Sequence, residues 1–157
     1  MVYLMALALP FTREAFQDER AAGLPPGELV YRVLVRVPLG TVLLEEVAFR
    51  GVLWAMVRRR WGHVWATVSS SVLFGLWHVQ PSRGLTRANA AAQAVFGAGQ
   101  VGVALSVAAA VVGTALAGAV FCELRRRSGS LIPPVALHCA LNSLGYALAW
   151  AASRRWA

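Results

Sequence analysis

Three ionisable side chains interrupt the apolar stretch that runs from Pro38 to Val57. They are Glu45, Glu46 and Arg50. At a rise of about 1.5 Å per residue, a helix over this stretch would cross the roughly 30 Å hydrocarbon core of a bilayer. A carboxylate at that depth costs at least about 2.5 kcal/mol, so such residues face a bundle interior or a wet cavity and find polar partners. The stretch is therefore the first candidate for a functional site.

Helical spacing assigns one of these partners. Glu46 and Arg50 are four residues apart, on one face of a helix, where a carboxylate and a guanidinium can form a forked ion pair. Glu45 points about 100° away around the helix axis, so we predict that it is the freer carboxylate. The alternative is a short soluble or interfacial helix with a solvated ion pair. The composition of the chain disfavours it.

The composition is that of a membrane protein. Of the 157 residues, 58% are hydrophobic and 14% are charged, and the mean hydropathy is +0.58. A soluble domain averages about 45–50% apolar residues. The pattern predicts an all-α protein, a polytopic bundle of transmembrane helices that forms one membrane domain.

The net charge of +8 does not indicate nucleic-acid binding. Its arginines form short clusters at the ends of apolar runs, at 58–60, 125–127 and 154–155. Such clusters are typical of loop anchors under the positive-inside rule, and they do not form a stripe that would follow a phosphate backbone. The chain contains no lysine, which favours a high-GC bacterial source. We therefore expect an integral protein of a bacterial cytoplasmic membrane.

Two regions are predicted along the chain. Residues 1–27 comprise an apolar stub, which ends before Pro10, and a polar connection. Residues 28–157 form the membrane domain, with about four spans. One crossing is favoured between 88 and 124, after an interfacial or re-entrant piece that ends near Gly102, because it keeps two arginine clusters on one side. The predicted spans are 38–57, 63–80, about 102–124, and 131–151.

In this arrangement the candidate site residues lie at different depths in the membrane. Counted from the arginine-rich side at about 1.5 Å per residue, Glu45 and His78 lie roughly 20 Å and 24 Å deep, but His138 lies only about 10 Å deep. A single crossing between 88 and 124 therefore requires tilt or an offset between helices if these three residues are to meet.

Two further polar pairs lie at membrane depth. His78 follows Phe74 by one helical turn, and Asn142 follows His138 in the same way. Histidines at this depth indicate proton handling or metal binding. The alternative for each is an ordinary interhelical hydrogen bond. The two cysteines have no C-x-x-C spacing, so neither a disulfide framework nor a thiolate zinc site is supported.

Together the three groups resemble the motifs of the CPBP or Abi family of intramembrane proteases, which includes CAAX prenyl endopeptidases and bacteriocin-processing or self-immunity proteins. The matching segments are E-E-V-A-F-R at 45–50, F-G-L-W-H at 74–78 and H-C-A-L-N at 138–142. The resemblance covers about 100 of the 157 residues. Members of this family typically have additional N-terminal spans, so we expect the bundle to be N-terminally shortened.

The resemblance implies an intramembrane endopeptidase that hydrolyses a peptide bond of a membrane-associated peptide or protein. Its partners would be that substrate and the lipid bilayer. Glu45 would act with His78 as general base on a water molecule, supported by the Glu46–Arg50 pair. His138 and Asn142 would donate hydrogen bonds to the oxyanion, a term of roughly 3–4 kcal/mol per good donor. Phe74 is expected to pack beside His78.

Three alternatives stay open. A zinc ion held by Glu45, His78 and His138 could activate the water, but H-E-x-x-H is absent from the sequence and a reaction without metal is favoured. A proton-coupled transporter would usually show paired repeats with broken helices. A non-catalytic membrane scaffold, or an immunity-type protein that retains the fold, is the stronger rival. The sequence leaves the oligomeric state open.

Overall fold

The computed structural model describes residue 21 and residues 23–155 of the chain. The predicted apolar stub and most of the polar connection at 1–27 lie outside these residues. The described part contains helices and no β-strand, as the all-α prediction requires. The helical elements are α1 Pro26–Tyr31, π1 Arg32–Val42, α2 Leu43–Glu46, π2 Val47–Leu53, α3 Trp54–Trp77, α4 Val79–Ser82, α5 Leu85–Ala88, α6 Ala90–Phe96, α7 Gly99–Ser128 and α8 Ile132–Arg155.

The first five elements follow one another without a break and form one right-handed helical rod, called the rod below. The residues that join them keep helical dihedral angles, for example Leu43 at φ −60° and ψ −44°. Pro38 lies inside π1. Proline has no N–H and its ring crowds the preceding turn, so a wider i→i−5 turn accommodates it better than a regular α-helix does. The rod presents Glu45 and Glu46 from the short α2.

The rod ends and the chain reverses at Gly62 within α3. Gly62 has φ 81° and ψ −177°, a conformation that a residue with a Cβ rarely adopts. This break separates Trp54–Trp61, which continues the rod, from residues 63–77, which return beside it. The second apolar run was predicted to begin at His63, and the turn at Gly62 agrees with that boundary.

The returning part of α3 packs closely against α7. A Cβ built on Gly75 would lie 2.6 Å from the carbonyl oxygen of Val111, and one built on Gly118 would lie 3.2 Å from Cα of Ser71. The two backbones therefore meet with almost no side chain between them. Close packing through small residues is of the kind that joins helices in membranes.

Between Gly99 and Gly129 the chain forms one continuous helix, as predicted. Gly129, at φ 68° and ψ 4°, ends α7 in the left-handed conformation that caps many helices. The piece before α7 contains only short helices, of which α6 is capped by the Asn89 side chain accepting a hydrogen bond from the Ala92 N–H.

Helix α8 lies against the rod with an offset that removes the predicted discrepancy of depth. A Cβ on Gly51 would lie 3.5 Å from Leu131 Cδ1, so α8 begins beside Gly51 rather than beside the arginines at the end of the rod. Measured from that level, Glu45 is six residues away, about 9 Å, and His138 is seven residues away, about 10 Å. The earlier count placed Glu45 too deep because it began at Arg58.

Two helices in the described part are long and apolar enough to cross a membrane. They are α7, with a hydropathy of 2.2, and α8, with a hydropathy of 1.3. Only 11% and 17% of their most apolar windows are buried within the protein, so their apolar side chains face outward as they would towards lipid. The other two predicted spans, 38–57 and 63–80, are not among these two helices and stay predictions.

Candidate functional site

Glu46 and Arg50 form the predicted ion pair at the centre of the bundle. Arg50 Nη1 donates to Glu46 Oε1 at 3.1 Å, and both side chains are 0% exposed. Aromatic rings surround the guanidinium: its Cζ lies 4.0 Å from the centroid of Phe74 and 5.0 Å from that of Phe121. A desolvated cation over such ring faces is stabilised by the negative potential of the rings. The Arg50 guanidinium is thus held by one carboxylate and by the aromatic rings around it.

Helix α7 leaves the room that Arg50 needs. A Cβ on Gly118 would lie 2.9 Å from Arg50 Nη2 and 3.2 Å from Phe74 Cδ1. Glycine at this position therefore has two roles, since it allows the close approach of α3 and leaves space for the guanidinium.

His138 joins this pair from α8. Its Nδ1 lies 2.9 Å from Glu46 Oε1, and because a carboxylate oxygen only accepts, Nδ1 carries the proton. Phe121 stacks on the imidazole at a centroid distance of 4.9 Å and an angle of 23°. Glu46 Oε1 thus accepts hydrogen bonds from both Arg50 and His138, which fixes the orientation of the histidine ring.

Glu45 faces the other side of the same imidazole. Its Oε2 lies 3.7 Å from His138 Nε2, which is too long for a direct hydrogen bond. Trp77 Nε1 donates to Oε1 of Glu45 at 3.0 Å. Oε2 has no hydrogen-bond partner among the described residues although Glu45 is 6% exposed. One oxygen of the carboxylate is therefore anchored and the other is free, as expected for the less paired glutamate.

His78 is placed at the end of α3, one ring away from this cluster. Its Nδ1 donates to the Phe74 carbonyl at 2.8 Å, so the neutral imidazole has its lone pair on Nε2. The Phe74 ring contacts both histidines, with centroid distances of 4.7 Å to His78 and 5.7 Å to His138. Among the described residues, no hydrogen bond or ion pair joins His78 to Glu45.

Asn142 is not part of the contact network. It lies one turn beyond His138 on α8 and is half-buried, and its side chain makes no hydrogen bond with any residue that the structure describes. The structure therefore brings together Glu45, Glu46, Arg50, Phe74 and His138, with His78 beside them and Asn142 further along α8.

The residues do not form a metal-binding set. Within residues 21 and 23–155, no three His, Cys, Asp or Glu side chains are placed to hold one ion. Glu45 and His138 offer one unbound donor atom each, and the third predicted ligand, His78, lies across Phe74. The favoured reaction without metal stays a prediction.

Buried polar atoms without hydrogen bonds concentrate at this site. Along the described chain they include Oε2 of Glu45, Oε2 of Glu46, and Nε and Nη2 of Arg50. Each such atom normally costs about 1–3 kcal/mol. Proteins accept such costs chiefly where a function requires the unpaired group.

Three residues of the site were not identified from the sequence. Trp77 lies inside the F-G-L-W-H segment, and an indole N–H beside a histidine at membrane depth was a usable signal. Phe121 and Gly118 lie in an Ala/Gly/Val-rich run without helical periodicity, so the sequence gave no indication of which face of α7 meets Arg50.

Fold and site define an all-helical integral membrane protein with a buried cluster of glutamates, histidine and arginine. A model of the family described as type II CAAX prenyl endopeptidase Rce1-like matches residues 27–144. The chain belongs to this protease family, which confirms the predicted resemblance. No curated protein and no solved structure matches the chain.

Proposed function

We propose that the chain is an intramembrane endopeptidase that hydrolyses a peptide bond in a membrane-associated peptide or protein. The observation that carries the proposal is the state of Glu45: a buried carboxylate with Oε1 fixed by Trp77, Oε2 unpaired, and an imidazole nitrogen 3.7 Å away. A water held near Oε2 would have a positioned base and little competing solvent.

The charges of the cluster favour one shared proton. His138 Nδ1 already carries a hydrogen towards Glu46, so Nε2 of the neutral ring would present a lone pair to Oε2 of Glu45. Two bare acceptors facing each other in a buried site repel. In the proposed resting state one proton lies on Glu45 or on His138, which makes the group of two carboxylates, one guanidinium and one imidazole neutral.

Glu45 and His78 divide the proton transfers in the proposed reaction. As the water oxygen bonds to the peptide carbonyl carbon, its proton passes to whichever of Glu45 Oε2 and His78 Nε2 is unprotonated. The tetrahedral intermediate then collapses, the C–N bond breaks, and the protonated group gives its proton to the leaving amine. His78 is suited to this exchange because its bond to the Phe74 carbonyl fixes the tautomer with a free Nε2.

His138 and Asn142 are the proposed oxyanion donors. When the shared proton lies on His138, both of its nitrogens donate, and Nε2 can stabilise the negative oxygen. The Glu46–Arg50 pair keeps the ring in place. Asn142 supplies the second donor from the next turn of α8, as the resemblance implies, and a good donor of this kind is worth about 10²–10³ in kcat.

The proposed setting is the cytoplasmic membrane of a bacterium, as the lysine-free, arginine-clustered composition suggests. The CAAX endopeptidase description belongs to the family. For this chain we propose the broader class of membrane-associated peptide and protein substrates.

The test is cleavage of a membrane-anchored reporter peptide by the chain in proteoliposomes. Glu45→Gln and His78→Ala should each lower kcat by about 10²–10⁴-fold, the usual contribution of a general acid or base. The matched controls are Glu123→Gln and His63→Ala, which change an exposed carboxylate and a histidine outside the cluster. These two variants should keep full turnover.

Folding is checked by gel filtration and thermal unfolding of each variant. If the wild-type chain cleaves and the Glu45 and His78 variants cleave equally well, the proposed site is wrong. If folded wild-type chain cleaves no reporter while a phenotype of the chain survives Glu45→Gln, a non-catalytic scaffold or immunity-type protein replaces the protease proposal.

A further inference from the structure

A cavity lies beyond the buried cluster, between the α4–α6 connection and the first turns of α7. Its volume is about 1040 Å³. Gln100 and Val107 line it, whereas Gly118 marks the level of the cluster. Val107 is eleven residues from Gly118 along α7, about 16 Å, whereas Val79 in the lining directly follows His78, so the cavity lies away from the Glu46–Arg50 pair and adjoins the end of α3 that carries His78.

The mouth of this cavity carries positive charges that no described acidic residue neutralises. Arg83 and Arg87 are exposed and make no ion pair or side-chain hydrogen bond with any described residue. The sequence has no acidic residue between Glu46 and Glu123. Thr86, which also lines the cavity, is 6% exposed as a whole residue. Two cations without an acidic partner among the described residues indicate a site for an anion.

The cavity changes from polar to apolar along α7. Gln100, Val103, Ala104 and Val107 follow i, i+3, i+4, i+7 spacing and so form one face of the helix. Gln100 lies at the mouth, and the apolar wall from Val103 to Val107 extends for about 6 Å. Such a gradient fits a ligand with an anionic head and a hydrocarbon chain.

The position along the membrane agrees with that ligand. Val107 precedes Arg125, in the arginine cluster at the far end of α7, by 18 residues, about 27 Å. This is close to the roughly 30 Å thickness of the hydrocarbon core. Val107 is the α7 lining residue nearest the buried cluster, so the cavity lies at the boundary between the hydrocarbon core and the headgroups on the side opposite to those arginines.

We infer that this cavity binds an anionic phospholipid, with its phosphate at Arg83 and Arg87 and an acyl chain along Val103, Ala104 and Val107. The inference does not depend on the proposed protease activity, because binding is measured without turnover. An anionic peptide end is the competing occupant, but the apolar wall favours the lipid.

The test measures binding of dioctanoyl phosphatidylglycerol and dioctanoyl phosphatidylcholine to the purified chain by native mass spectrometry. The wild type should prefer the glycerol lipid, and R83Q/R87Q should weaken its binding about thirtyfold, as expected for two surface arginines. R59Q/R60Q, an arginine pair of equal charge outside the cavity, should keep the preference. An equal loss in both variants would show general electrostatic attraction and overturn the inference.

Two further measurements separate the possible ligands. A104Q should weaken lipid binding while leaving any effect of inorganic phosphate unchanged, because only the lipid contacts the apolar wall. Millimolar inorganic phosphate should not displace the lipid. If inorganic phosphate displaces the bound lipid, the site recognises only the anionic group and is not a lipid site. The same conclusion follows if a peptide with a free carboxylate displaces the lipid while the corresponding peptide amide does not.

Discussion

Two of the carboxylate–arginine clusters among the described residues differ in their surroundings. At the centre of the bundle, Glu46 and Arg50 are both 0% exposed and 3.1 Å apart. Near the end of α7, Glu123 bonds Arg126 at 2.6 Å and Arg127 at 2.5 Å, but these side chains are 41%, 43% and 74% exposed. The shorter contacts belong to the cluster that water screens.

The difference shows that the shorter contact distance does not identify the interaction that contributes more to stability. An exposed pair exchanges hydration for a contact of similar energy, so its net contribution is small. A buried pair has lost its hydration, and removing one partner leaves the other charge without compensation. The central pair should therefore dominate the stability of the site, and the terminal cluster should contribute little.

The largest effect is expected from Arg50→Met. It leaves Glu46 buried beside His138 without its cation, so the chain should lose about 3–5 kcal/mol of stability. Chemical unfolding in a mild detergent, followed by tryptophan fluorescence, measures the loss.

The double variant Glu46→Gln/Arg50→Met is the control for this prediction. It removes both charges and keeps an oxygen that can accept from His138 Nδ1, so it should recover most of the lost stability. A double variant as unstable as the single one would mean that Arg50 acts by filling space and not as a counter-ion.

The next effect concerns the space around Arg50. Gly118→Ala places a Cβ 2.9 Å from Nη2 and should cost about 1–3 kcal/mol through overpacking. Gly113→Ala on the same helix is the matched control, since a Cβ there meets no atom within 4 Å. Unfolding midpoints compare the two, and equal midpoints would contradict the close approach of α3 and α7.

A smaller change sharpens the contrast between the two central glutamates. Trp77→Phe removes the indole hydrogen bond that fixes Glu45 and should lower kcat about tenfold with KM unchanged. The reporter assay gives both constants, and adding kcat profiles against pH tests whether the titration of the base moves, which a purely structural role would not produce. Trp65→Phe, at a 61% exposed tryptophan, should change neither constant. A rise in KM alone would assign Trp77 to substrate binding.

The smallest effect is expected from Glu123→Gln. It removes the carboxylate that bonds two exposed arginines, and the unfolding midpoint should stay unchanged within error at moderate salt, because solvent and ions screen this cluster. A loss comparable to that of Arg50→Met would overturn the ranking by exposure.

Local features of the fold and site were predictable from the sequence. The i, i+4 spacing sufficed for the Glu46–Arg50 pair, and the predicted start of the second apolar run at His63 agrees with the turn at Gly62. The offset of α8 was not predictable, since it depends on how Leu131 packs beside Gly51, a contact between distant parts of the chain. For the same reason the Trp77–Glu45 bond and the stacking of Phe121 on His138 required the structure.

The backbone contact between α3 and α7 limits where the bundle can open. Since Gly75 and Gly118 remove the side chains that could slide or deform, the two helices should move as one body. Any widening of the interior must then occur along the rod, where α3 is tied by the Ser70 hydroxyl to the Phe49 carbonyl at 3.0 Å and by Trp77 to Glu45. Opening on that side would break the Trp77–Glu45 hydrogen bond. Access of a substrate to the interior and the orientation of the Glu45 carboxylate are therefore mechanically coupled.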